Sequence, residues 1–450
     1  MKNQLSRRKM SEKNSILKKD GVSFVIPFIL ITSCFALWGF ANDITNPMVK
    51  AFSKIFRMSV TEGALVQVAF YGGYFCMAFP AAIFIRRFSY KAGILLGLGL
   101  YAVGALLFFP AKEIGEYGYF LLAYFILTCG LSFLETSANP YILSMGTEET
   151  STRRLNLAQS FNPMGSLLGM YVAMRCVQAK LSPLNTEERA LLNDAEFNVV
   201  KDSDLSVLIA PYLFIAIVII VMFVVIALVR MPKNGDQSHN INFFPTLKRL
   251  VSTPHYREGV IAQFFYIGVQ IMCWTFIIHY GTYYFRLEGM AERDAEVLAQ
   301  TCNIVAMVLF CCSRFICTFF LKYINAGLLL KILAIVAGIL TICVIGLQNR
   351  YGVYCLVAIS GCMSLMFPTI YGIALQGLGD DAKFGAAGLI MAILGGSVLP
   401  PLQSLIIDQG RMFGMPAVNV SFILPFICFV VVSVYGHRTY KRRKSASASA

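Results

Sequence analysis

Long apolar stretches occupy residues 22–46, 63–85, 92–110, 117–145, 155–177, 205–229, 259–285, 297–321, 326–347, 352–376, 385–407 and 417–436. Short polar segments separate them. A helix crossing the hydrocarbon core of a bilayer takes about 20 apolar residues. Backbone N–H and C=O groups in lipid must find partners inside their own segment, so each of the twelve stretches is predicted to be a helix. They are numbered here as spans 1 to 12. The expected fold is an all-α membrane protein with twelve transmembrane helices.

Composition supports that reading. Hydrophobic residues make up 57% of the 450 residues and charged residues 14%. A soluble domain carries about 45–50% apolar and about 25% charged residues. The net charge of +14 does not point to nucleic acid. Lys and Arg concentrate in every second inter-span segment, the pattern of cytoplasmic loops. An even number of spans then puts both termini on the cytoplasmic side. Asp and Glu gather instead in the opposite loops, above all between spans 5 and 6 (Glu187, Glu188, Asp194, Glu196, Asp202, Asp204).

Enzyme chemistry finds little support. The 13 cysteines form no Cys-x-x-Cys pair, and His239, His255, His279 and His437 lack ligand spacing. Neither a metal site nor a resident cofactor is predicted. Gly97-x-Gly99-x-x-Ala102 matches a dinucleotide fingerprint but lies inside span 3 with no preceding strand. Asn419-Val-Ser421 matches a glycosylation acceptor but abuts span 12, and it is read as chance.

The segment after span 6 is polar and basic, which divides the spans six and six. The predicted organisation is a basic cytoplasmic N-terminus (1–21), a six-helix bundle (22–229), a cytoplasmic linker (230–258), a second six-helix bundle (259–436) and a basic cytoplasmic tail (437–450). Two such halves are the plan of many secondary transporters. Weak internal similarity agrees: Asn139-Pro140-Tyr141 in span 4 and Phe367-Pro368-Thr369 in span 10. Gly165-x-x-x-Gly169 in span 5 matches Gly388, Ala392 and Gly396 in span 11. Small residues at this step are predicted to pack helices closely.

Ionisable groups inside spans are costly and are functional candidates. Only Asp43 and Glu135 among the acidic residues lie within apolar stretches. Glu135 sits about two thirds along span 4. A low-dielectric interior favours its neutral, protonated form. Such a carboxyl either carries a proton between the two sides or serves as a structural hydrogen-bonded acid. Asp43 is placed near the outer end of span 1, where Pro47 is expected to interrupt the helix.

Polar side chains recur at helical spacing. Trp38, Asn42 and Asn46 step by four, as do Glu135 and Asn139. Gln159 and Asn162 step by three, and Gln263, Gln270 and Trp274 by seven and four. Each set shares a helix face that must turn away from lipid. Amides beside aromatic rings suit the hydroxyls and apolar faces of a sugar; the alternative is hydrogen bonding between helices. Arg314, near the cytoplasmic end of span 8, is expected to snorkel or to gate the inner face.

Five segments resemble the fucose–galactose–glucose proton symporter family of the major facilitator superfamily. They are Gln67-Val-Ala-Phe-Tyr-Gly-Gly-Tyr74, Phe88-Ser-Tyr-Lys-Ala-Gly93, Leu134-Glu-Thr-Ser-Ala-Asn-Pro140, Arg154-Leu-Asn-Leu-Ala-Gln-Ser-Phe-Asn162 and Cys273-Trp274. The resemblance runs through both halves. It implies a two-lobe (6+6) major facilitator architecture in a bacterial cytoplasmic (inner) membrane, with the proton as coupling ion. It also implies a monosaccharide substrate, L-fucose foremost, and a monomer whose partners are sugar and lipid. Glu135 matches the family's span 4 proton carrier, and Asn162 its span 5 asparagine implicated in sugar transport. The family's span 1 aspartate fits Asn42-Asp43-Ile44 with Pro47, whereas a gapless alignment through Trp38 places Asn46 there. The loop between spans 2 and 3 departs from the superfamily signature, with Ala82 where glycine is usual and Arg86 where aspartate is usual.

The resulting expectation is a symporter working by alternating access. Proton coupling is assigned to Glu135 and Asp43. Sugar binding is assigned to Trp38, Asn42, Asn46, Gln67, Asn139, Gln159, Asn162, Gln263, Gln270 and Trp274.

Overall fold

The computed structural model describes residues 17–19, 22–58, 62, 65–182, 184, 188–189, 191–231 and 243–448. Most of the predicted N-terminal segment and residues 232–242 of the predicted linker lie outside these.

The described chain is nearly all helical. Among the described residues, eleven helices are long and apolar enough to cross a membrane. Span 1 is Val25–Ile55, span 2 Leu65–Arg87, span 4 Tyr117–Ser144 and span 6 Asp194–Leu228. Span 3 is Tyr90–Leu106 with the added turns Phe108–Ile114. A short helix, Phe243–Ser252, precedes span 7, Pro254–Leu287. Spans 8 and 9 are Glu292–Phe320 and Ala326–Gly346.

Span 5 is the one predicted stretch missing from the eleven, because it is broken. One piece is Ser151–Gln159 and the next Asn162–Val172, which ends in a wide turn at Ala173–Val177. Pro163 explains the break: it lacks an N–H to donate backwards, and it suits the first turn of a new helix. Span 10 breaks similarly, into Arg350–Met363 and Met366–Leu375, just ahead of Pro368. Span 11 comprises Ala382–Met391 and Gly395–Ile407, joined by a tight turn. A two-residue strand pair, Arg411–Met412 with Met415–Pro416, leads into span 12, chiefly Ile423–Ala448.

Span 1 departs from expectation. The helix runs on through position 47 to Ile55, so Asp43 is not at a helix end. Aromatic packing holds these extra turns: Phe52 lies 5.6 Å from Tyr117 and 5.2 Å from Phe120, ring to ring. Phe108, stacked on Tyr212 at 4.2 Å, extends the cluster to spans 3 and 6.

Contacts divide the chain into two compact units. The first holds the described residues within 22–142 and 161–241; the second holds those within 1–21, 143–160 and 242–450. The first piece of span 5 therefore packs with the later spans.

In the first unit, span 5 lies against span 1 through glycine. A Cβ on Gly165 would collide with the Ala36 carbonyl, and one on Gly39 with the Asn162 carbonyl. In the second unit, span 11 repeats this against span 7, with Gly395 on the Phe264 carbonyl. Gly165→Ala is expected to cost about 1–3 kcal/mol, since backbone cannot retreat as a side chain can. A melting midpoint in detergent equal to that of the parent would show that the helices separate freely.

The acidic loop between spans 5 and 6 is also knit into the first unit. Arg189 and Asp204 form a buried ion pair at 2.6 Å. Asp204 also accepts from the Ser182 N–H at 2.8 Å. Arg57, in the left-handed backbone region, donates to the carbonyls of Arg189 and Leu192 and lies 3.7 Å above the Phe197 ring. On span 6 the stripe Phe214, Ile217, Val221 and Leu228 stays exposed. Apolar residues repeating on one outer helix face suit contact with lipid tails.

Candidate functional site

Span 4 is buried all round from Leu127 to Ile142. Glu135 lies within this stretch at 5% exposure, and its Oε2 atom is buried without a hydrogen-bond partner. Among the described residues it forms no ion pair. A buried carboxyl without a cation or donor is costly when charged, so its protonation state follows its surroundings.

The Tyr74 hydroxyl of span 2 lies in electrostatic range of Glu135 and is hydrogen-bonded to Trp38 of span 1. Ser132, one turn before Glu135, donates to the Tyr74 carbonyl at 3.2 Å. Trp38 stacks on Phe35 with centroids 5.2 Å apart. Asn162, half-buried at the start of the second span 5 piece, donates to the Phe35 carbonyl at 3.2 Å. Spans 1, 2, 4 and 5 thus join Asn162, Trp38 and Glu135 into one connected cluster. Asn42 is half-buried one turn beyond Trp38. Asp43, 8% exposed, faces Tyr71. Asn139 is fully buried one turn after Glu135. The side chains of Asn46 and Gln67 lie outside the described residues.

The second unit carries its own polar cluster. Trp274 donates from its indole nitrogen to Ser360 at 3.3 Å and meets Phe310 edge-on at 5.0 Å. The Arg314 guanidinium sits 4.6 Å from the same ring. It donates to the Ser364 carbonyl at 2.5 Å and to the Gln159 carbonyl at 2.9 Å. Arg314 therefore does not snorkel. It is 3% exposed and satisfied by carbonyls freed where spans 10 and 5 break. Gln263 is fully buried with neither amide atom paired, while Gln270 is half-buried. Two unpaired amide atoms in a buried side chain are an invitation to a polar ligand or water.

Two residues had escaped notice as site candidates, Tyr71 and Tyr74. The signal was present, since Gln67, Tyr71 and Tyr74 follow the i, i+4, i+7 spacing of one helix face. Asn419 is fully buried, donating to the Val344 carbonyl at 3.0 Å and accepting from Tyr284 at 2.5 Å. It is a packing node, as expected for a chance glycosylation match.

Eleven apolar spans, a broken fifth, and polar clusters buried inside each unit define a polytopic membrane carrier. Residues 31–401 match the model of the Major Facilitator Superfamily, and the chain belongs to it. It is 51% identical to the L-fucose-proton symporter of Haemophilus influenzae, across 93% of this chain and 97% of that one. It is 32% identical to the L-fucose-proton symporter of Escherichia coli, over 92% and 93% of the two chains. A crystal structure of the Escherichia coli fucose:proton symporter matches with a TM-score of 0.83, covering 93% of this chain and 99% of that chain at 30% identity. The glucose/galactose transporter of Brucella abortus is 30% identical, over 90% and 92%. These relatives are transporters, not enzymes.

Proposed function

We propose that this protein is a proton-coupled symporter importing a monosaccharide, L-fucose foremost, by alternating access. The observation that carries the reading is Glu135: a carboxyl buried in span 4, unpaired at Oε2, within a Trp–Tyr cluster. Its surroundings, Leu134-Glu-Thr-Ser-Ala-Asn-Pro140, resemble the span 4 motif of the proton symporter family, and 51% identity over nearly the whole chain supports the sugar.

In this scheme Glu135 is protonated while the carrier faces outward, and each unit bears candidate ligands for the sugar. Trp38, Asn42, Asn162 and Asn139 belong to the first; Gln159, Gln263, Gln270 and Trp274 belong to the second. The neutral loaded form turns inward, releases sugar and proton, and returns empty. One charge moved through 100 mV exchanges about 2.3 kcal/mol, enough to hold a sugar gradient of about fiftyfold. The protein acts as a monomer in the bacterial cytoplasmic membrane, with both termini inside and no cofactor beyond the coupling proton. Asp43 is the second candidate for coupling.

The Brucella relative favours a second reading, in which glucose or galactose is the substrate. Uptake into reconstituted vesicles separates the two. With a panel of monosaccharides and imposed pH or sodium gradients, L-fucose is expected to be accumulated, driven by acid outside and indifferent to sodium. Preference for glucose or galactose, or dependence on sodium, overturns the assignment. Binding without counterflow would leave a sugar sensor instead.

A further inference from the structure

Spans 9 and 10, Ala326–Gly346 and Arg350–Met363, are joined by a tight turn at 347–349. Cys343 lies one turn before the end of span 9, and Cys355 lies on the second turn of span 10. Along the chain they are twelve positions apart, a spacing that says nothing until the two helices fold back on each other. In the structure the two thiols hydrogen-bond to one another. Both are free and half-buried. Cys311 and Cys312, adjacent in span 8, offer no such pairing. One is buried and the other exposed, because neighbours along a helix do not face each other.

The frame around the thiols is stiff. The Cys343 carbonyl accepts the Leu347 N–H at 2.7 Å, which finishes span 9. The Asn349 side chain accepts from the Tyr351 N–H at 3.0 Å, which starts span 10. From span 7, the Tyr280 hydroxyl reaches the carbonyls of Val344 at 3.0 Å and Leu347 at 2.6 Å. Gly352 packs directly on that hydroxyl, where a Cβ would collide. Arg350 Nε donates to Glu288, just past the end of span 7, at 2.9 Å. Both sides of the turn are thus fastened to span 7. Two groups held together in this way react far faster than groups that must first find each other.

The pair is also placed near water. Tyr351 and Tyr354, in the first turns of span 10, are 61% and 51% exposed. Tyrosines at a span end mark the headgroup level of a bilayer. Cys355 follows Tyr354 directly, so it lies close to this border. By the loop pattern the border faces away from the cytoplasm, towards the oxidising compartment outside a bacterial cytoplasmic membrane.

We propose that Cys343 and Cys355 are a dithiol–disulfide site, closed by an external oxidant that is itself a disulfide. One thiolate attacks a sulfur of that oxidant and expels a first thiol, which leaves a mixed disulfide on the carrier. The second cysteine attacks the carrier sulfur of this mixed disulfide and expels a second thiol. Two electrons and two protons leave the carrier and reduce one disulfide to two thiols. The sulfurs pass from hydrogen-bond contact to a bond of about 2.05 Å, and rotation of the cysteine side chains supplies the approach. The link clamps one hairpin and joins nothing outside the second unit. The face at which it forms rests on the orientation in the transport reading above; the pairing itself does not.

The test uses the full chain in membrane vesicles, first reduced with dithiothreitol and washed. The oxidant is oxidised glutathione, a charged disulfide that stays on the side where it is added. The protein is then unfolded, its free thiols are alkylated without reduction, and its peptides are weighed. In right-side-out vesicles Cys343 and Cys355 are expected together as one closed disulfide, two hydrogens lighter than the dithiol, with the alkylated form falling about tenfold. Inside-out vesicles are expected to keep both thiols open to alkylation. In Cys343→Ser, Cys355 is expected to retain glutathione as a lasting mixed disulfide, since the resolving sulfur is gone. Cys355→Ser is expected to do the same at Cys343. The closed parent is expected to melt several degrees higher in detergent than the reduced parent, because a closed ring restricts the unfolded chain. Both variants are expected to lose that shift. Separate glutathione adducts on the two cysteines of the parent overturn the proposal, as do thiols alkylated in full whichever face meets the oxidant. Closure in inside-out vesicles alone keeps the pair and overturns the orientation instead.

Discussion

Replacing Glu135 by Gln is expected to abolish uphill sugar accumulation while sugar exchange survives. The amide matches the protonated carboxyl in shape and polarity but cannot lose a proton. The carrier then reorients with sugar on either side and equilibrates it, forfeiting the about fiftyfold gradient that one proton supports at 100 mV. Counterflow and energised uptake in the same vesicles check this. Full accumulation by Glu135→Gln would move proton coupling to another group, Asp43 being the next candidate. Loss of both activities would mean that the position serves folding or sugar contact.

The second large effect is on stability. Asp204→Ala leaves the Arg189 guanidinium buried, with only the Leu184 carbonyl at 3.1 Å and the Ser182 carbonyl at 3.4 Å to satisfy it. Breaking one side of a buried pair costs about 3–5 kcal/mol, whereas replacing both sides with apolar residues often costs far less. Asp204→Ala is therefore expected to lower the melting midpoint in detergent by several degrees. The combination Arg189→Met with Asp204→Leu is expected to recover most of that loss. A single variant as stable as the parent would show that water reaches the pair.

The helical plan was legible because bilayer physics leaves so few choices: an apolar run of the right length must satisfy its own backbone. The carboxyl of Glu135 was legible for the same reason, as an acid in a place that excludes charge. The full length of the span 1 helix was not legible, because apolarity alone ends it near residue 46, while the helix is carried on by Phe52 and Phe56 packing against Tyr117 and Phe120. Those are partners some 60 residues away, which no local pattern discloses. Snorkelling, one of the two roles expected of Arg314, fails for a similar reason. Snorkelling is the local expectation for a cation near a helix end. Its true partners are carbonyls freed by two helix breaks, one of them in span 5. Tyr74 was hidden differently, since tyrosine is common in apolar helices and only its hydrogen bond to Trp38, within electrostatic range of Glu135, sets it apart.

The break in span 5 has a mechanical consequence. A continuous helix transmits rotation along its whole length, so a moving end drags its neighbours. Here Ser160 and Phe161 stand between two helical pieces, and Pro163 prevents the ladder from knitting across. A swing of the first piece is absorbed by the torsions of a couple of peptide units. The glycine seam that fastens the second piece to span 1 is left undisturbed. The joint behaves like a door hinge: its stiffness resides in two residues, so the motion is tunable there without loosening either panel.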